Sequence, residues 1–210
     1  MDFFDFLNNI FFPLKNSINV IFGPPAVGKT TFSYIIIKKF LLGNEINNIY
    51  YVDTENGFSK RRLIQVFPSF EQYSEKFSLF KIRDFEKLNN FLRKFNDKNS
   101  LLIVDSISMP YRLKLKDNFE LINKELAITL NELINKAENN YILLVSHSYF
   151  KENEHRIVGG DLMKYFSKSI IEMLFDGNKR KIRLIKHKFI EEKEIKIEIK
   201  KEGFKIKRFF

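Results

Sequence analysis

The chain has 210 residues, an apolar fraction of 44% that includes 24 phenylalanines, and a formal net charge of +10. That length suits one domain with a full core and excludes an intrinsically disordered chain. Cysteine is absent, which removes disulfides, zinc–thiolate sites and thiol chemistry, as expected of a cytoplasmic protein.

The apolar opening, MDFFDFLNNIFFPL, carries Asp2 and Asp5 and no early Lys or Arg, unlike a signal peptide. Residues 1–16 read as an aromatic lead-in that packs on the domain. No window reaches the roughly 18 uninterrupted apolar residues of a membrane span, so no membrane association is expected. Ile18–Phe22 predicts a strand and Thr30–Leu42 a helix. Ile49–Val52 predicts a second strand, followed by a short helix over Lys60–Val66. Phe77–Ile82 is a further strand, and Asp84 caps a helix, DFEKLNNFLRKF. Leu101–Val104 is again a strand. Residues 117–139 carry Leu121, Ile122, Leu126, Leu130 and Leu133 at helical spacing. Tyr141–Val145 is the next strand. Short apolar strands between helices imply an α/β core over residues 17–168, with a parallel sheet covered on both faces.

After residue 168 the pattern changes. IIEMLF, then DGN, then KRKIRLIKHKF predicts two strands joined by a tight turn. KEIKIEIK alternates with period two, and FKIKRFF closes the chain, so residues 169–210 predict an antiparallel extension of a single domain. Residues 179–210 hold 13 Lys/Arg against 5 Glu, whereas residues 1–178 hold 23 against 21 acids. This basic C-terminal stretch fits either a polyanion surface or a solvated strand face.

Gly23-Pro24-Pro25-Ala26-Val27-Gly28-Lys29-Thr30 satisfies GxxxxGK(S/T), after a strand and opening a helix. Backbone N–H groups of this loop and of the helix N-terminus through Thr31 can surround a β-phosphate. Lys29 would reach the β/γ oxygens and Thr30 would ligate Mg²⁺, making ATP and Mg²⁺ the expected ligands. LLIVD delivers Asp105 to the metal. Many such ATPases place a catalytic Glu next, but here Ser106 follows, so a general base must come from elsewhere. In IYYVDTENGF, Asp53 and Glu55 end a strand whose carboxyl end lines the ligand crevice. Glu55 is the candidate base; Asp53 better suits a turn-capping role.

A Glu on that strand resembles the RecA superfamily. Within it, INVIFGPPAVGKT, IYYVDTENGFSKRRL, LLIVDSISMPYRLKL, IVGGDLMKYFSKSIIEM and RKIRLIKHKF resemble the archaeal RadB family, short paralogues of the RadA recombinase. The resemblance implies a RecA-type P-loop core with ATP binding, weak ATPase activity, DNA binding without strand exchange and a role in recombinational repair. Expected partners are single-stranded or branched DNA and a RadA-like recombinase or a repair nuclease. The chain starts just before the phosphate-loop strand, without RadA's helical N-terminal domain or polymerisation linker. A monomer or small oligomer is therefore expected. By the same resemblance, loops after Asp105 and after His147 face DNA. They offer Arg112, Lys114, Lys116, Lys151 and Arg156, with Tyr111 and Tyr149 for stacking. His147 and Ser148 stand where RadA-like recombinases carry Asn-Gln, and His147 can hydrogen-bond a γ-phosphate. Lys186 and Lys188 resemble the lysine pair that bacterial RecA extends onto a neighbour's γ-phosphate. A second reading is a KaiC-like regulatory ATPase that docks a protein partner without binding DNA.

Overall fold

The computed structural model describes residues 2–10, 12–116 and 118–207. In chain order the elements are α1 (Phe3–Asn9), β1 (Ile18–Gly23), α2 (Lys29–Gly43), β2 (Ile49–Asp53), α3 (Lys60–Val66), a 3-10 turn (Phe70–Lys76), β3 (Phe77–Lys81) and α4 (Phe85–Lys94). There follow β4 (Leu101–Asp105), α5 (Ser108–Lys114), α6 (Phe119–Ala137), β5 (Tyr141–Lys151), β6 (Glu154–Ile157), α7 (Gly160–Phe166), β7 (Ser167–Asp176), β8 (Lys179–Lys186), β9 (Lys193–Lys200) and β10 (Gly203–Ile206).

The strands form one sheet in the order β10-β9-β8-β7-β1-β5-β4-β2-β3, with β6 attached to β5. From β7 to β3 every pair is parallel, and β7 to β10 run antiparallel. β7 thus joins both patterns. Alternate residues of each central strand serve opposite faces. Ile21, Tyr51, Ile103 and Leu143 meet α1, α2 and α3, while Val20, Val52, Val104 and Leu144 meet α4, α5 and α6.

α2 is apolar almost all round, with Phe32, Tyr34, Ile36 and Phe40 buried, because sheet, α1 and the C-terminal strands enclose it. Asp84 accepts from the Lys87 N–H as the cap of α4. Asn118 caps α6; Asp117, where the expected helix begins, lies outside the described residues, as do the last three residues of FKIKRFF.

The N-terminal segment packs against α2 and β10. Phe3, Phe6 and Leu7 of α1 are buried, and Phe3 meets Phe32 and Phe204 edge-on at 5.4 and 5.0 Å between centroids. The fully buried Asn19 amide bonds both the N–H and the carbonyl of Leu14, pinning the lead-in to β1.

Three expectations need correction. The segment after Asp105 is a helix rather than a loop, because Tyr111 can bury its ring at 4% exposure only if the backbone coils there. Pro110 falls in the first turn, where it costs no helical hydrogen bond. Second, β5 does not end at Val145 but continues to Lys151 and pairs antiparallel with β6, so the region after His147 is a hairpin. Third, β8 ends at Lys186, leaving His187 and Lys188 off the strand.

Phe32 is fully buried among Phe3, Phe12 and Phe204. Phe32→Ala is expected to cost about 3–5 kcal/mol in denaturant unfolding. A loss below about 1 kcal/mol would mean that this aromatic cluster does not hold the termini to α2.

Candidate nucleotide site

Parallel register brings the chemistry together. Gly23 aligns with His147, and Asp53 aligns with Asp105. The carboxyl ends of β1, β2, β4 and β5 therefore open on one edge, as in other open parallel sheets. Between them lies a cavity of about 380 Å³, lined by Pro25, Ala26, Gly28, Lys29, Thr30 and Thr31 from the loop and α2. Asp53, Glu55, Gly57, Asp105, His147 and Ile199 complete its wall.

The loop needs its glycines. A Cβ on Gly23 would fall 2.2 Å from the Met173 carbonyl oxygen. Gly28 sits at φ +111°, and a Cβ there would meet Ile199 Cδ1 at 2.7 Å. Gly28 caps α2 without a side chain, so the first N–H groups of the helix are open to an anion. Val27 turns into the core instead.

Lys29 is only 7% exposed, and its Nζ donates to the carbonyls of Gly23 (2.9 Å) and Pro24 (2.8 Å). Burial pulls its pKa down to about 8, against the opposing pull of Asp105 and Glu55. Neutral carbonyls are weaker partners for an ammonium than phosphate oxygens, so the lysine is poised to exchange them.

Asp105 Oδ2 accepts from Thr30 Oγ1 (2.7 Å) and from the Tyr51 hydroxyl (2.6 Å). Burial pushes the Asp105 carboxyl above its usual range, although both hydroxyls oppose this. Thr30 and Asp105 supply hard oxygen ligands. Among the described residues no group of three His, Asp or Glu could hold a metal by itself. That donor set fits Mg²⁺, which takes one or two protein oxygens and completes its shell with phosphates and water.

Asp53 is a turn residue: its carboxylate accepts the N–H groups of Glu55 and Gly57 (3.1 Å each) and of Phe58 (3.1 Å). Glu55 reaches the cavity. Its Oε1 accepts from Ser106 Oγ and lies 3.2 Å from His147 Nε2. His147 is held below its usual pKa, chiefly by burial, with Glu55 pulling the other way. Ser148 instead pairs its hydroxyl with His155 Nδ1 at 3.1 Å on the hairpin, away from the cavity.

The expected DNA contacts divide. Arg112, in the last turn of α5, lines a groove of about 700 Å³ shared with Tyr111, Phe119, Tyr149 and Gly159. Lys114 lies 3.5 Å from Glu86, and Lys116 is exposed in the turn after α5. Lys151 and Arg156 both pair with Glu152 at the hairpin tip. Lys186 donates to the Lys164 carbonyl, and Lys188 lies over the Phe189 ring. Neither lines the cavity of its own chain. Sequence reading missed Ser106, Ser108 and Ile199 as site residues; none carries a motif, and only the folded contacts reveal them.

A Rad51 family profile matches residues 14–206. The chain belongs to the Rad51 family. Among its relatives, the DNA repair and recombination protein RadB of Methanococcus maripaludis strain C5 is 30% identical over 201 residues, covering 91% of this chain and 92% of that protein. RadB of Methanocaldococcus jannaschii is 29% identical over 207 residues, covering 91% and 94%. The crystal structure of the RadB recombinase superposes with a TM-score of 0.73 at 27% identity, covering 90% of each chain. The RecA-type fold expected from the motifs is therefore the observed one. Among the described residues, no helix is long and apolar enough to cross a membrane.

Lys29 leaves its mark on the pH dependence of this Rad51-family core. With a folded pKa near 8 against 10.5 unfolded, the unfolded chain binds more protons between those values. Stability from this group therefore rises with pH from about 8 to about 10. Denaturant unfolding of wild type minus Lys29→Met across that range is expected to slope upward. A flat difference would place the ammonium in water.

Proposed function

We propose that this chain is an ATP- and DNA-binding ATPase of the RadB kind. It hydrolyses ATP slowly and supports recombinational repair without strand exchange of its own. One observation carries the reading: Lys29 and Thr30 at the start of α2, Asp105 at the end of β4 and Glu55 just beyond β2 converge on one cavity. Names of relatives, "DNA repair and recombination protein RadB", supply the biological context.

In this reading the loop N–H groups and Lys29 hold the phosphates, and Thr30 and Asp105 hold Mg²⁺, which when bound neutralises phosphate charge. Glu55 accepts a proton from the water that attacks the γ-phosphorus. The bond from that phosphorus to the β–γ bridging oxygen breaks, and ADP and phosphate leave. One Glu55 oxygen is already engaged by Ser106 and His147, which leaves the other to orient water. Lys186 and Lys188 could serve only a neighbouring protomer's phosphates. Specific activity that does not change with protein concentration would remove that role.

Glu55→Gln is expected to keep nucleotide affinity and to lose about 10²–10⁴-fold in hydrolysis rate, the usual worth of a general base. Lys29→Ala is expected to weaken ATP binding sharply with unchanged folding. Wild-type turnover in the first variant would reduce Glu55 to a turn residue, and unchanged affinity in the second would remove the phosphate-loop assignment.

For DNA, retention of the protein on single strands across a salt series is the decisive measurement. Replacing Arg112, Lys114 and Lys116 by Ala should lower the log–log salt slope by about one per lost phosphate contact. The pairing of Lys151 and Arg156 with Glu152 leaves the hairpin less basic than its sequence, which favours α5 as the main contact. Absence of any salt-dependent retention by the wild type would instead support a regulatory ATPase that docks a protein partner.

A further inference from the structure

Around Glu55 the hydrogen bonds close into a ring that phosphate binding alone does not require. Ser106 Oγ donates to Glu55 Oε1. Ser108 Oγ donates to Ser106 Oγ at 3.2 Å, and the His147 N–H donates to Ser108 Oγ at 2.8 Å. His147 Nε2 closes the ring on the same Glu55 oxygen at 3.2 Å. Ser106 Oγ also accepts the Met109 N–H at 3.3 Å. Ser106 and Ser108 are 0% and 2% exposed, so water does not substitute for these partners.

The chain of protons has one direction. A carboxylate only accepts, so Ser106 must spend its single proton on Glu55, and Ser108 must spend its own on Ser106. The ends are then filled by main-chain N–H groups, of Met109 in the first turn of α5 and of His147 at the root of the β5–β6 hairpin. Hydrogen bonds in such a series polarise one another, and in a buried site breaking one exposes its neighbours to the full cost of an unpaired group. Glu55 therefore cannot shift without loosening α5 and the hairpin root.

We infer that Ser106 and Ser108 are positioning residues that hold Glu55 and carry its movement, when nucleotide binds, into α5 and the β5–β6 hairpin. This rests on the nucleotide reading of the cavity. It puts the link between the cavity and the basic residues Arg112, Lys151 and Arg156 in two hydroxyls just past Asp105, one in the turn after β4 and one opening α5. The His147 side chain closes the ring but does not bridge to α5.

The test compares the full-length chain with its Ser106→Ala, Ser108→Ala and Ser108→Thr variants, using Mg²⁺ with a non-hydrolysable ATP analogue (the β–γ imido compound). Calorimetric titration measures affinity, and hydrogen exchange measures the response of each segment. Analogue binding is expected to slow exchange in residues 23–31 in every protein. In wild type and Ser108→Thr it should also change exchange over residues 108–116 and 147–157, and in both alanine variants that distant response should be lost. With ATP, Ser106→Ala should lower kcat about tenfold or more while KM stays within about twofold, since only the base is misplaced. A merely structural serine pair would give the same distant response in all four proteins. That result, or a protected phosphate loop with no change at α5 in wild type, overturns the inference. Failure of the analogue to bind or to protect residues 23–31 would overturn the nucleotide reading, and this inference with it.

Discussion

The carboxylate of Asp105 is the constraint on which the rest of the site depends. It ends β4, opens on the cavity, and is enclosed deeply enough that burial disfavours its charge. Such a group persists only with partners, and its partners come from two further elements. Thr30 brings the start of α2, Tyr51 brings β2 from beneath, and Lys29 adds the opposing charge. To satisfy one acid, the phosphate-loop helix and two strands must be held within hydrogen-bonding reach of one another. The same contacts fix where a metal ion and the terminal phosphate of a nucleotide would sit. Tyr51 shares the consequence: its fully buried hydroxyl, beside two carboxylates, is held well above the usual phenol range and stays a donor.

From that point the strand register distributes the remaining roles. Asp53 pairs with Asp105 along the ladder, so the residue two further on overhangs β4 and can touch Ser106. Gly23 pairs with His147, so the imidazole faces the loop across β1. A slip of one residue in either pair would turn Glu55 or His147 to the opposite face of the sheet. The acid, the base candidate and the histidine thus come together through main-chain pairing, with side-chain contacts refining the result. The loop from Asp53 to Gly57 is preset in the same way, because Asp53 caps three successive N–H groups and leaves Glu55 projecting.

Much of this was legible in the sequence. The phosphate loop announces itself by spacing and context, the parallel core by short apolar runs, and the turn-capping role of Asp53 by its place at the strand end. Two features were not legible, for definite reasons. α5 has seven residues, a proline and no full apolar period, and it is helical because Tyr111 is buried against Phe85 and bonded to Asn123. Only tertiary contact supplies that reason. The continuation of β5 was hidden because Ser146-His147-Ser148 breaks the apolar run, while β6, the partner that sustains the strand, is just four residues long. Pairing between two weak strands leaves no periodic trace in either one.

The two ends of the chain belong to the same logic. Phe3 from α1 and Phe204 from β10 meet edge-on with Phe32, one turn into the helix that the phosphate loop opens. Arg62 of α3 donates to the carbonyls of Lys200 and Lys201 and fastens the β9–β10 turn to the same side. Ile199 then comes to rest against Gly28, so close that a Cβ there would have to displace the Ile199 methyl. The phosphate loop is therefore bounded by β9 on one side and by the Asp105 cluster on the other. A helix start without a capping side chain leaves its N–H groups unsatisfied and would tend to fray. Here it is clamped from both directions, which keeps those donors aligned for an anion before one arrives. Preorganisation of this kind places the cost of ordering the loop on folding rather than on binding. It also gives a role to the aromatic contacts of Phe3 and Phe204 with Phe32 on the helix that the loop opens.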